Sequence, residues 1–105
     1  MWETILNSFS SNPRDVKTIP LTNKSPLWFY VYVENGKLCV DCAKNHKPSS
    51  NLTQRRIISS TSEICNIMHD IYKRRKAGHA VSKEATQITL NSIYWYGIFA
   101  DIEKQ

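Results

Sequence analysis

Glycine and proline are scarce: three and four residues in a chain of 105. That excludes collagen-like, linker-rich and low-complexity classes. Long apolar runs are missing as well. The longest uninterrupted one is seven residues, 27–33, which is too short to cross a bilayer. The N-terminal residues, from Met1 to Ile5, show no basic leader followed by an apolar stretch, so no secretion signal is read there. Cysteine is present three times, an odd number. A secreted domain of this size usually pairs its thiols, so the reading is a reduced, cytoplasmic protein. Carboxylates are few, nine against fourteen Lys and Arg, and no two are placed for metal-assisted hydrolysis. There is no glycine-rich phosphate loop and no serine elbow.

What is present is the composition of one folded unit. Apolar residues make up 41% and charged residues 22%. The length suits a single domain over residues 1–105. The net charge of +5 is unevenly spread. Residues 37–83 hold ten cations and three carboxylates, a net of +7, and the rest of the chain nets −2. Positive charge concentrated in one segment points to a polyanionic partner, either nucleic acid or an acidic protein surface. The competing reading is a solvated surface that keeps the protein in solution.

Local patterns predict an α+β fold. Trp2, Ile5, Leu6 and Phe9 recur at helical spacing and predict a short N-terminal helix over 2–10. Pro13 and the Ser/Asn cluster before it end that helix. Residues 11–26 read as an extended connector with an edge strand at 16–19. The aromatic and β-branched stretch 27–34 reads as a strand. Asn35-Gly36 tolerates positive φ at both positions, as a type I′ hairpin turn requires, and 37–42 returns. A two-residue turn fixes the register, opposing Glu34 to Lys37 and Phe29 to Cys42. Phe29, Val31, Val33, Leu38, Val40 and Cys42 then share a core face. Trp28, Tyr30, Tyr32, Glu34, Lys37, Cys39 and Asp41 share the other, which is aromatic with polar tips and partly wet.

After a polar loop at 43–51, residues 52–58 read as a third strand carrying Arg55 and Arg56. Ser60-Thr61-Ser62-Glu63 matches a capping box. The helix it opens runs to the cations Lys73, Arg74, Arg75 and Lys76 and stops at Gly78. Ser82 caps a further helix, from Lys83 to about Asp101, whose second half is apolar on every side. Gly97 within it marks a close backbone approach or a tolerated weak point. The whole reads as an antiparallel sheet of three or four strands built on the Asn35-Gly36 hairpin, with two C-terminal helices packed on one face.

Four constellations carry chemistry. The first is an aromatic platform of Trp28, Tyr30 and Tyr32 beside Lys37, Arg55 and Arg56. Exposed rings stack bases while cations hold phosphates. The alternative is that a helix covers this face and the rings are core. The second is a helix-turn-helix, with Lys83, Thr86, Gln87 and Asn91 facing DNA. An amphipathic pair of helices packed on a sheet explains the same pattern, and the turn is long for the motif.

The third is a zinc site from Cys39, Cys42, Cys65 and His69. Cys39 and Cys42 point to opposite faces of a regular strand, which opposes it, so no metal is assigned. The fourth is a Cys65/His69 nucleophile and base pair. Mid-helix placement argues against it, because thiolates are stabilised at helix N-termini. His46 and His79 lie in other segments. No cofactor motif is present and no catalysis is expected.

The reading is therefore a non-catalytic binding module. Its nucleic-acid contacts are Arg55, Arg56, Lys73, Arg74, Arg75, Lys76 and Lys83. The rival is a protein-interaction or inhibitor module, homodimeric through Tyr94, Trp95 and Phe99 of the aromatic C-terminal helix. No membrane partner is expected.

Overall fold

A computed structural model describes residues 1–104. Helix α1 (Trp2–Ser11) buries Trp2, Ile5 and Phe9, the stripe its spacing marks out. Four strands follow in a meander: β1 (Arg14–Lys17), β2 (Trp28–Glu34), β3 (Lys37–Cys42) and β4 (Arg56–Ser59). All neighbours are antiparallel, in the order β1-β2-β3-β4. The chain closes with α2 (Ser62–Lys76), α3 (Ser82–Ile88) and α4 (Ser92–Glu103).

The hairpin forms with the register set by its turn, from Phe29 opposite Cys42 to Glu34 opposite Lys37. Asn35 and Gly36 take φ of 51° and 75°, the positive values a type I′ turn demands. Phe29, Val31, Leu38 and Val40 are fully buried on one sheet face, with Val16 of β1 and Ile58 of β4 beside them. The helices cover that face: α1 packs on β2, α4 on β1 and α2 on β4. All contribute to one core, whose largest members are Trp95, Phe9, Phe29 and Phe99. Each such side chain contributes about 1.5–3 kcal/mol on burial, which fixes which sheet face the helices take. The opposite face carries tyrosine hydroxyls. Covering those without partners would cost about 1–3 kcal/mol each, so that face stays open to water.

The α+β architecture is as expected, with local differences. The expected final helix is two helices, because Thr89 is extended (φ −155°, ψ 150°) and Asn91 stands at the start of α4. The break lets the apolar stretch 94–99 turn into the core while α3, with only Ala85 buried, stays at the surface. The edge strand lies at 14–17 rather than 16–19. The last strand is Arg56–Ser59, so Leu52 is buried from a loop and Arg55 precedes the strand.

The capping box does not close. Thr61 is the cap residue of α2 without a side-chain bond, and Ser59 Oγ instead accepts from the Thr61 amide. Cys42, expected in the core, is exposed where the sheet runs out, and Cys39 on the other face is buried. Cys39 is flanked by Tyr32 on β2 and Ile57 on β4, next to a register shift between Leu38 and Cys39. Among the described residues no helix is long and apolar enough to cross a membrane.

Candidate nucleic-acid interface

Strand alternation places Trp28, Tyr30 and Tyr32 in one row on the sheet face away from the helices. None of the three belongs to the core, and each is half-buried. Their ring contacts are with one another and with basic side chains. The His46 imidazole stacks on Trp28 with centroids 3.9 Å apart and planes 17° from parallel. The Lys44 ammonium lies 4.6 Å from the Tyr30 centroid. Tyr30 and Tyr32 are 5.8 Å apart, and Arg55 Nη1 reaches the Tyr32 hydroxyl at 3.5 Å. Each ring in the row therefore has a basic group beside it.

The loop after β3 supplies two of those groups, and Asp15 of β1 holds it in place. One Asp15 carboxylate accepts from the amides of Lys44 (2.9 Å), Asn45 (2.7 Å) and His46 (3.0 Å), and pairs with His46 Nδ1 at 2.9 Å. Its side chain is only 1% exposed. Burial by itself would raise the acid. The hydrogen bonds from the Lys44 amide, the His46 ring and the Asn45 and His46 amides together outweigh it and hold the carboxyl below its ordinary value. Past this anchor the chain docks on the start of β2: the Trp28 amide donates to the Pro48 carbonyl, and the Ser50 amide donates to Trp28.

The seven cations singled out from sequence fall in two places: Arg55 and Arg56 at β4, and Lys73, Arg74, Arg75, Lys76 and Lys83 where α2 ends and α3 begins. Arg55 pairs with Glu34 on the open face. Arg56 donates to Asn91 Oδ1 and lies over Tyr94. Arg74 joins Asp70 and Glu84, tying α2 to α3. Arg75 donates to the Ile19 carbonyl and lies over Tyr96. Lys76 pairs with Glu103. Lys73 and Lys83 are exposed, on α2 and α3. Helix α2 spends most of its terminal cations on its neighbours.

The remaining candidates also find their places. Tyr94, Trp95 and Phe99, read as a dimer interface, are 7%, 0% and 0% exposed and build the protein's own core. Lys83, Thr86 and Gln87 are exposed on α3, but that helix has seven residues, and Asn91 lies beyond it holding Arg56. Cys39 and Cys42 sit on opposite faces, and Cys65 is buried on α2. Among the described residues no three His, Cys, Asp or Glu side chains gather into a metal-binding group. Burial pushes the Cys65 thiol up to about 11. His69 lies against Phe99, and burial, with Lys73 adding to it, holds its pKa below the ordinary value.

The sequence reading missed Asp15, Lys44 and His46 as a unit. Twenty-nine or more residues separate the carboxylate from the loop it grips, and no local spacing marks such a pairing. Compared with known proteins, the chain matches no family model, no curated protein and no solved structure.

Proposed function

We propose that this protein is a non-catalytic module that binds single-stranded nucleic acid on its open sheet face. The observation that carries the reading is the row Trp28, Tyr30, Tyr32, each ring accompanied by a basic group, on the face the helices leave free. Bases have flat apolar faces that stack on such rings, and a single strand has bases free to do so. Lys37, Lys44, Lys47 and Arg55 lie on this face or on the loops at its margins and supply the phosphate contacts. All four fall within the basic segment 37–83. Duplex DNA hides its base faces, and a flat sheet does not enter its major groove as a helix does.

Fluorescence anisotropy with a labelled twelve-nucleotide oligothymidine tests this. Three to four phosphate contacts give a salt slope of about −2 to −3, so affinity falls about twentyfold to fiftyfold between roughly 50 and 200 mM salt. Tyr30→Ala and Tyr32→Ala each weaken binding by about 1–3 kcal/mol, the usual contribution of one base stack. A protein that binds no oligonucleotide at low salt, or that binds equally well without both tyrosines, is not a module of this kind.

A further inference from the structure

The connector 18–27 leaves β1 and returns to β2 without regular structure. Between it and helices α3 and α4 lies an open cleft of about 370 Å³, within the range of small-ligand sites. Its apolar wall is Ile19, Leu21, Leu27, Ala85, Ile93 and Tyr96. Leu21 and Ile93 are 72% and 50% exposed, so the chain itself leaves this wall unfilled.

The charges lining the cleft are of one sign. Arg75 and Lys24 line it, and no carboxylate does among the described residues. Arg75 is fixed in place: its Nη2 donates to the Ile19 carbonyl at 2.7 Å, and its guanidinium lies 4.4 Å from the Tyr96 centroid. Arg14, Arg55 and Arg74 each have a carboxylate partner within the fold. Arg75 has none among the described residues. A guanidinium has five N–H donors in a planar fork that matches a carboxylate, and this one has a preset orientation and unused donors.

We propose that the cleft binds a small amphiphilic carboxylate. Its alkyl or aryl body lies against Leu21, Leu27 and Ile93, and its carboxylate is held by Arg75 with Lys24 at the rim. The site shares no residue with the aromatic row, so it stands or falls separately from the nucleic-acid reading.

Amide chemical-shift mapping of the full chain with sodium octanoate tests it. Saturable shifts confined to 18–27, Arg75, 82–86 and 92–96 are expected, with no such response to octylamine, which has the same tail and the opposite charge. Arg75→Gln weakens octanoate binding at least about tenfold, as loss of a charge-assisted contact requires, and Arg75→Lys restores part of it. Ile93→Glu, at a half-exposed position that leaves the core intact, abolishes binding by setting a resident carboxylate at the mouth. Octanoate that shifts nothing, or octylamine that shifts the same residues equally, overturns the proposal. A short acidic leucine-rich peptide that displaces octanoate with much higher affinity also overturns it, and assigns the cleft to a protein partner.

Discussion

At the scale of single residues, Asp15 and Gly97 have roles that composition hides. The Asp15 carboxylate gathers three amides and an imidazole, and so decides where the loop 44–46 lies and where His46 meets Trp28. Its pKa in the fold is below the ordinary value of 3.8. Its stabilisation is therefore complete above that value and drains away as pH falls through the folded-state pKa. Asp15→Asn is expected to cost about 1–3 kcal/mol at neutral pH, since three amides and the His46 ring lose a charged acceptor. Urea denaturation followed from pH 7 to pH 2 should show the gap between the two proteins closing below about pH 4. A gap of constant size would mean that the carboxylate's charge does not matter.

At Gly97 the sequence left two readings open, and the packing decides between them. A Cβ there would stand 2.6 Å from the Lys17 carbonyl oxygen and 3.0 Å from the Phe29 ring. The oxygen belongs to the backbone of β1 and has little freedom to move. Alanine favours a helix over glycine by about 1 kcal/mol, but overpacking at such a contact costs about 1–3 kcal/mol. Gly97→Ala is expected to lower stability in chemical denaturation, and a more stable variant would show that α4 does not sit this close to β1.

Elements differed in how plainly the sequence announced them. The hairpin was legible because a two-residue turn with glycine permits one register, and the pairing from Phe29 opposite Cys42 to Glu34 opposite Lys37 follows from it. Gly36→Ala meets no atom within 4 Å. Its cost is backbone strain alone, about 1–2 kcal/mol for a side chain at positive φ, with the register unchanged in amide spectra. A loss several times larger would point to a contact the turn does not make. Helix α1 was legible from its spacing for a similar reason: its partners lie along one stripe. The helix break at Thr89–Asn91 was missed although Thr89, Asn91 and Ser92 are residue types that favour caps over helix interiors. What ends α3 is the need to turn six consecutive buried residues toward the sheet. Strand β4 was misplaced because its partner is 16 or more residues away across a polar loop, where local pattern has little force.

The molecule as a whole sorts its charges by shape rather than by sequence. Within the segment of net +7, Arg74 and Lys76 pair with carboxylates across helices, and Arg56 and Arg75 rest on aromatic faces. The aromatic row was legible in the strand's alternation, and that the face lies open follows from the helices all choosing the other side. What could not be read was which cations stand beside it, because Lys44 and His46 owe their positions to Asp15. The account therefore rests on the sheet, not the helices, as the surface that meets nucleic acid. The most direct measurement is amide and indole chemical-shift mapping of the protein titrated with unlabelled oligothymidine at low salt. The expected result is movement of the Trp28 indole and the amides of Tyr30, Tyr32 and 44–47, with 73–76 and Lys83 undisturbed. Shifts centred on α2 and α3, with the sheet face silent, would contradict it.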